Sequence, residues 1–285
     1  MSIATSSSHL CLPASHYSMD KLATIYNAAR VDYIVPMPMN GRRMADYIRC
    51  YDIDLGASLV SLDSEGRETG IIMLGVRGGR TWITRLGIIP TTRRSGVGQF
   101  LMEQVLARSR ALQATSVQLE VIEGNRPAHA LFVKLGFQKV RDLLVIRRPP
   151  GQPLPVFAPT NAQLFMTDSD EIPSLLSRRD HTPAWTEEKR SILNAGSVQG
   201  LGILLDGTEA GWIIYQHLPF QMSHLVMSPN ASEAMHQALL YHLHKQHPLQ
   251  ETKVENLPLD HPTWAAFQAF GYVEEFRRIG MHLVF

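Results

Sequence analysis

The stretch from residue 82 to residue 98, WITRLGIIPTTRRSGVG, constrains the fold more than any other part of the chain. An apolar run ends at Pro90, a short basic turn follows, and two glycines open a segment with apolar residues at helical spacing. This pattern predicts a strand, a turn and a helix. Glycines let backbone N–H groups approach a ligand, and a helix N-terminus carries partial positive charge. Residues 93–98 are therefore predicted to cradle an anion such as a pyrophosphate.

Composition and charge limit the classes of protein to which the chain can belong. The chain has 285 residues, 45% apolar and 19% charged, which is enough for two ordinary domains with packed cores. A formal net charge of +1 gives no electrostatic reason to expect a nucleic-acid or anionic-membrane partner. No apolar run is long enough to span a bilayer, and the first fifteen residues do not resemble a signal peptide. The two cysteines, Cys11 and Cys50, form no CxxC pair, which is typical of a cytoplasmic protein.

Hydrophobic periodicity predicts a strand, two helices, three strands, a helix, a strand, a helix and one or two closing strands. Outside the helix that follows the glycine turn, the predicted ranges are 9–12, 19–30, 42–51, 58–62, 70–76, 80–89, 116–122, 127–135 and 138–148. Segment 31–41 is apolar but is interrupted by two prolines, so it is expected to be either a loop that lines a pocket or a buried connector.

A proline-rich segment predicts the domain boundary. Residues 149–155 read PPGQPLP, a composition typical of a stiff, extended spacer. The predicted domains are therefore residues 1–148 and 156–285, joined by a linker at 149–155.

The second part of the chain repeats the first in weaker form. Matched pairs at a constant offset of 135 are Pro127 with Pro262, Ala130 with Ala265, Phe132 with Phe267 and Gly136 with Gly271; at an offset of 139 they are Pro90 with Pro229 and Leu101 with Leu240. This pattern predicts a tandem duplication. Where the first copy has glycines at 96 and 98, the second has Met235 and Gln237, so its helix is expected to begin earlier and to bind no anion. The second copy is expected to cover the first and to supply a wall of the acceptor site.

Two motifs carry a family resemblance. The run Arg93-Arg-Ser-Gly-Val-Gly98 resembles the Arg/Gln-x-x-Gly-x-Gly/Ala signature of the GNAT superfamily of N-acetyltransferases. A second family motif is matched at every spacing by Asn125, Ala128, Leu131, Lys134, Gly136 and Phe137. The resemblance covers residues 9–148 well and 156–285 as a degenerate copy. It implies an α/β (α+β) fold of two tandem domains, each a mixed central sheet flanked by helices, with acetyl-CoA between splayed fourth and fifth strands.

The resemblance also implies a set of cofactor-binding residues. In chain order they are Gly87, Ile88, Arg93, Arg94, Ser95, Gly96, Val97, Gly98, Gln99, Asn125 and Phe132. The backbone of Gly87 and Ile88 would pair with the pantetheine arm, residues 93–99 would hold the pyrophosphate, and Asn125 would contact the arm from the other side. Phe132 stands where the family usually has a tyrosine that protonates the departing thiolate. Four possibilities stay open: another group protonates the thiolate, water does so, the thiolate leaves without a proton donor, or activity has been lost.

Glu120 is the candidate catalytic base. In a strand, Leu119 and Val121 point to one face and Glu120 to the other, near where the two strands part. The match to the family's Leu-Glu-Val, where some members use the Glu as a base, favours the same residue. The alternatives are Glu123 and a terminal carboxylate at Phe285.

The expected activity is transfer of an acetyl group from acetyl-CoA to an amine of a small acceptor. The apolar content of 31–41 favours an acceptor with an apolar portion. No metal is expected, because His242, His244 and His247 lack a carboxylate partner, as is typical of surface histidines. A non-catalytic acyl-CoA-binding or regulatory protein is the alternative function, and self-association into a homo-oligomer is left open.

Overall fold

The computed structural model describes residues 9–285, which form two compact units. The first unit contains the chain up to Val140 together with Gly280–Phe285, and the second contains Arg141–Ile279. The division falls before the proline-rich segment predicted as a linker, and the last residues of the chain group with the first unit.

Between residues 9 and 137 the first unit contains five strands and four α-helices. They are β1 (Leu10–Pro13), α1 (Met19–Ala29), α2 (Gly41–Cys50), β2 (Leu59–Leu62), β3 (Glu68–Arg77), β4 (Arg80–Ile88), α3 (Val97–Ala111), β5 (Ser116–Ile122) and α4 (Arg126–Lys134). The predicted order of elements is confirmed, with bounds that shift by one or two residues. Residues 138–148 form one closing strand, β6 (Gln138–Arg148), of which the first three residues belong to this unit.

Polar side chains fix where α1 and α2 begin. Ser18 accepts a hydrogen bond from the Lys21 N–H at the start of α1, as predicted, and Asn40 accepts one from the Arg43 N–H at the start of α2. Leu22, Ile25 and Tyr26 recur at helical spacing and are buried. The apolar face of α1 therefore packs on the sheet.

The sheet of the first unit is antiparallel until its fourth strand. Strands β1 to β4 pair in succession as antiparallel neighbours, and β4 then pairs with β5 in parallel. The β3–β4 hairpin turns at Gly78, whose φ of 54° favours glycine.

The second unit repeats this succession. Its further elements are β7 (Ala162–Met166), α5 (Ile172–Leu176), α6 (Lys189–Ala195), β8 (Val198–Leu205), β9 (Glu209–His217), β10 (Gln221–Met227), α7 (Glu233–Gln246), β11 (Glu251–Pro258), α8 (Trp264–Ala269) and β12 (Val273–Val284). Strands β7 to β10 pair as antiparallel neighbours, and β10 pairs with β11 in parallel. Residues 143–148 of β6 then pair with β11 in antiparallel fashion.

Backbone irregularities recur at the same places in both units. Arg85 in β4 and His224 in β10 each have a φ of 54°, and both strands shift register there against the preceding strand. The two residues are 139 positions apart, the offset that relates Pro90 to Pro229. A β-bulge at matching positions is a feature that random strands do not share, so the tandem duplication is confirmed.

The helix after the fourth strand starts earlier in the second unit. Helix α7 begins at Glu233, the equivalent of Arg94, whereas α3 begins at Val97. Ser232 caps α7 by accepting a hydrogen bond from the Met235 N–H at 3.0 Å. The predicted early start is confirmed.

The proline-rich segment 149–155 is packed within the second unit. The Gly151 N–H donates to the Pro248 carbonyl at 2.8 Å, and the Arg148 guanidinium donates to the Gly151 carbonyl at 3.0 Å. The same guanidinium donates to the Phe270 carbonyl at 2.7 Å. The prolines keep the segment extended, but these hydrogen bonds fasten it to the unit.

The interpretation of His244 as a surface histidine was wrong. Its side chain is fully buried, and its Nε2 lies 3.0 Å from the hydroxyl of Tyr272. Burial lowers the pKa of His244 to about 3. Neither α7 nor any other helix within residues 9–285 combines the length and apolarity needed to cross a bilayer.

Candidate functional site

A gap between β4 and β5 is the centre of the candidate site. The two strands pair from Arg80 with Ser116 to Ile83 with Leu119, yet both continue beyond the last pair, to Ile88 and to Ile122. Unpaired continuations of neighbouring parallel strands leave backbone N–H and C=O groups available to a ligand. This is the splay that the family resemblance implies.

The bulge at Arg85 and the glycine that follows it shape one wall of the gap. After the bulge, Gly87 pairs with Ile71 of β3. A Cβ on Gly87 would lie only 2.9 Å from the Cβ of Ala29, so glycine lets α1 pack closely on β4. Gly87 and Ile88 thus line the gap with their backbone.

The turn at the end of this wall has the geometry of an anion cradle. Gly96 has a φ of 92° and precedes α3, and Arg94 has a φ of 64°. The first hydrogen bond of the helix runs from the Phe100 N–H to the Gly96 carbonyl at 3.0 Å. The N–H groups of residues 97–99 have no carbonyl within the helix to pair with, and they point from its N-terminus.

The side chain of Arg93 is directed away from this cradle. Its guanidinium makes two hydrogen bonds of 2.6 Å with the carboxylate of Asp32 and further bonds with the carbonyls of Ala29 and Ile88. The hydrogen bond from Arg93 lowers the pKa of Asp32, and the same bond raises the pKa of Arg93. Arg93 therefore positions the turn against α1 and β4, and its charge is already matched by a carboxylate.

The other polar residues of the turn lie at its surface. The Ser95 hydroxyl donates to the Thr92 carbonyl at 2.6 Å, and Arg94 is exposed. The Gln99 amide bridges the ammonium of Lys134 and the carboxylate of Glu103.

Asn125 forms the opposite wall, where β5 ends. Its Oδ1 caps α4 by accepting from the Ala128 N–H at 3.4 Å, and its Nδ2 donates to the hydroxyl of Tyr33 at 3.1 Å. Phe132 is buried on α4 with its ring centre 6.1 Å from that of Phe137. The turn and Asn125 therefore stand on the two sides of one gap.

The loop 31–41 lies across this gap. Asp32 is bonded to Arg93 on one side and Tyr33 to Asn125 on the other, while the sulfur of Met37 lies 3.9 Å from a guanidinium nitrogen of Arg85. The loop therefore contacts both walls.

Glu120 lies on the face of the sheet that carries Trp82. The indole Nε1 of Trp82 donates to Glu120 Oε2 at 2.7 Å, and the ring of Tyr47 from α2 lies 6.2 Å from that of Trp82. The hydroxyls of Tyr47 and Thr84 are 2.6 Å apart. The carboxylate is half-buried, beside aromatic rings and next to the gap.

Comparisons with known proteins agree on one family. Residues 22–137 match the family model described as Acetyltransferase (GNAT) family. Residues 93–98 and Asn125, which stand on the two sides of the gap, lie inside the match. This part of the chain is a GNAT-family domain.

Solved structures show that the fold likeness to GNAT proteins extends over the whole chain. A GCN5-related N-acetyltransferase from Sphaerobacter thermophilus superposes with a TM-score of 0.68 at 15% identity, covering 97% of this chain and 95% of the other. A tandem GNAT protein from the clavulanic acid biosynthesis pathway superposes with a TM-score of 0.66 at 15% identity, covering 97% and 98%. A putative acetyltransferase from Pyrococcus horikoshii gives 0.63 at 12% identity, covering 100% and 92%. No curated protein matches the sequence significantly.

The two alternative bases lie in surroundings that differ from those of Glu120. Glu123 is exposed beyond the end of β5. Phe285 is held at the other end of the strand, because its N–H donates to the carbonyl of Thr115 at 3.0 Å. Glu120 lies five positions beyond Thr115 along the chain, which corresponds to about 16 Å in a strand.

Sequence reasoning missed the side chains that the loop and α1 bring to the gap. Tyr33 contacts Asn125, and the guanidinium of Arg30 stacks 3.4 Å from the centre of the Tyr33 ring. Burial lowers the pKa of Arg30, as its neighbour Arg85 does to a smaller extent. No motif marks these residues, and the one available signal was the unusual apolar content of 31–41.

Proposed function

We propose that the GNAT domain transfers an acetyl group from acetyl-CoA to an amine of a small acceptor. The observation that carries this proposal is the set of backbone donors at residues 97–99, which stand at the end of a gap between two parallel strands. The equivalent residues of the second unit are inside a helix.

The gap suits the cofactor part by part. The pyrophosphate would accept hydrogen bonds from the turn, because the N-terminus of α3 supplies free N–H groups and partial positive charge. The pantetheine arm would run along the backbone of Gly87 and Ile88, with Asn125 on its other side. The thioester would then lie on the face of the sheet that carries Glu120.

Glu120 is the proposed base. It takes a proton from the acceptor's ammonium, directly or through water, and the free amine nitrogen then attacks the thioester carbonyl. Backbone N–H groups of β4 beyond the bulge stabilise the oxyanion. When the carbon–sulfur bond breaks, the amide forms and the thiolate of CoA leaves. The hydrogen bond from Trp82 holds the Glu120 carboxylate in place.

Tyr33 is the proposed donor of a proton to that thiolate. Phe132 has no hydroxyl, but the Tyr33 hydroxyl stands at Asn125, beside the proposed path of the arm. Because Asn125 donates to the Tyr33 oxygen, the hydroxyl proton of Tyr33 is left for another acceptor.

The surroundings of Glu120 favour an acceptor with an apolar portion. Trp82, Tyr47 and Tyr51 form a continuous aromatic cluster, with ring centres between 4.8 and 6.2 Å apart. Met37 and Met39 lie on the adjoining loop. We assign this reaction to the cytoplasm, in keeping with the two free cysteines.

Release of CoA from acetyl-CoA over a panel of primary amines tests the proposal, with acetyl-CoA affinity measured in parallel by calorimetry. Glu120→Gln should lower kcat/KM by about 100-fold, and Tyr33→Phe by about 10-fold, while acetyl-CoA binding changes little. Asp46→Asn, at an exposed position of the same unit, is the matched control. Tight binding with no CoA release on any amine would instead support a non-catalytic acyl-CoA-binding protein. No binding at all would contradict both functions.

A further inference from the structure

The second unit also has a gap between its parallel strands, and its contents differ from those of the first. Strands β10 and β11 pair only at Gln221 with Glu251 and Met222 with Thr252 before they part. Beyond these pairs lies a cavity of about 60 Å³, bounded by both strands, the start of α8 and the loop between α5 and α6. A cavity of this size has room for a hydrated ion.

Three side chains with metal-ligand chemistry meet at this cavity. Asp180 and His181 belong to the α5–α6 loop, and His261 precedes α8. Their donor atoms lie within 4.8 Å of one another. His181 Nδ1 is 3.0 Å from Asp180 Oδ1, and the two imidazole centres are 4.7 Å apart.

This cluster occupies the place of the Tyr33–Asn125 contact in the first unit. Tyr33 and His181 both lie in the loop between the first two helices of their unit. His261 is the equivalent of Arg126 at the offset of 135, next to the equivalent of Asn125. The same contact across a gap is therefore made by an amide and a phenol in one copy, and by two imidazoles and a carboxylate in the other.

The geometry points to a metal site: we propose that Asp180, His181 and His261 bind one divalent transition ion of the zinc type. Two imidazoles and one carboxylate are common zinc ligands, and Zn–N distances of about 2.0–2.1 Å in a tetrahedral site require donor separations of about 3.3 Å. The present separations of 3.0 to 4.8 Å need only a small closure of an exposed loop. Three protein ligands leave a fourth position for water on the cavity side.

Two neighbouring side chains support the site. His261 Nδ1 lies 2.7 Å from the Thr263 hydroxyl and accepts a hydrogen bond from the Thr263 N–H at 3.3 Å, which fixes the ring. When Nε2 binds an ion, the imidazole proton moves to Nδ1, from which it can donate to the Thr263 hydroxyl. His236 also lines the cavity, and its Nε2 is buried without a hydrogen-bond partner within residues 9–285. A water bound to the ion would supply such a partner.

The bound ion would tie the α5–α6 loop to the start of α8. It would therefore stabilise the second unit and close its gap. This role is independent of acyl transfer in the first unit.

Metal binding by the full-length protein tests the proposal. Protein freed of metal by a chelator is titrated with Zn²⁺ by calorimetry, and with Co²⁺ while ligand-field absorption is recorded. We expect one equivalent of each ion, an absorption spectrum of a four-coordinate site, and a rise in Tm. Loss of an outer-shell partner alone costs about 10–100-fold in affinity, so His181→Ala and His261→Ala should weaken binding by more than about 100-fold.

His242→Ala is the matched control, because His242 is a half-buried histidine of α7 outside the cluster. It should bind like the wild type. Asp180→Asn changes an exposed carboxylate, and it should weaken binding and alter the Co²⁺ spectrum. Circular dichroism and acetyl-CoA titration check that each variant is folded. The proposal is overturned if the wild type takes up no stoichiometric ion, or if folded His181→Ala or Asp180→Asn binds it as tightly as the wild type.

Discussion

The turn after the fourth strand is the feature that differs most clearly between the two units. In the first unit, Gly96 adopts a left-handed conformation and delays α3, so that N–H groups are left at the end of the gap. In the second unit the equivalent residue is Met235, which is fully buried and lies inside α7. One early helical turn therefore removes a predicted anion site without altering the order or the pairing of the strands.

The contacts across the two gaps show the same kind of divergence. Tyr33 and Asn125 place a phenol hydroxyl and an amide at the gap of the first unit. These groups are suited to a thioester cofactor. His181 and His261 leave lone pairs and a neighbouring carboxylate, which suit an ion. A duplicated scaffold thus keeps its gap while the chemistry around the gap changes.

The largest expected effect comes from placing a carboxylate in the cradle. Gly96→Glu should raise the Kd for acetyl-CoA at least about 100-fold, because the new charge faces the pyrophosphate and the residue must adopt a φ of 92°. Gln237→Glu, at the equivalent of Gly98 in the second unit, should leave the Kd unchanged. Calorimetric titration of both variants measures the difference. Equal weakening of acetyl-CoA binding by the two substitutions would contradict a pyrophosphate site in the first unit alone.

Acid should destabilise the second unit more than the first. His244 has its pKa lowered to about 3 by burial, so between pH 7 and pH 5 the unfolded chain takes up a proton that the folded chain does not. This stability is present above pH 6.5 and is lost as the pH falls toward 3, about 2 kcal/mol of it between pH 7 and pH 5. Burial also lowers the pKa of His236, His242, His247 and His261, so each of these residues loses stability in acid in the same way. His224 acts in the opposite direction, because burial, which lowers its pKa, is outweighed by the carboxylate of Glu187, and the pKa is raised.

The dependence of the free energy of unfolding on pH can be measured by urea unfolding, with hydrogen exchange of second-unit amides as the probe. His244→Gln should flatten the pH dependence, whereas His129→Gln in the first unit should not. A slope that is unchanged in His244→Gln would show that another group dominates.

Two alanine substitutions in the turn should distinguish positions where glycine is needed for its backbone conformation from positions where it is needed for lack of space. Gly96→Ala should lower the free energy of unfolding by about 1 kcal/mol, because L-residues are strained in the left-handed region. A Cβ on Gly98 would lie 3.7 Å from Ile88 and Leu131, which is ordinary contact, so Gly98→Ala should be neutral or slightly stabilising. Chemical denaturation gives both values. A larger loss at Gly98 would mean that close packing, and not conformation, selects glycine in this turn.

The smallest effect concerns the charge beside the cradle. Asp32→Asn removes a carboxylate near the proposed pyrophosphate position and releases Arg93, so acetyl-CoA should bind about twofold more tightly. The gain should disappear at high salt. Weaker binding would mean that the Asp32–Arg93 pair is needed to shape the turn.

The sequence predicted the features that depend on local order. Strand β5 has the predicted bounds, and the glycine turn and Asn125 stand where their motifs require, because helix starts and tight turns are set by neighbouring residues. The contact of Tyr33 with Asn125 joins residues 92 positions apart through a loop without periodicity, so no pattern could reveal it. The proline-rich segment was expected to be a spacer because of its composition, but its position depends on Arg148 and Pro248, which composition does not report.

Calorimetric titration of the full chain with acetyl-CoA tests most directly whether only the first unit holds the cofactor. We expect one mole bound per mole of chain, with a Kd that Gly96→Glu raises at least about 100-fold. Two moles bound, or an unchanged Kd in folded Gly96→Glu, would contradict this expectation.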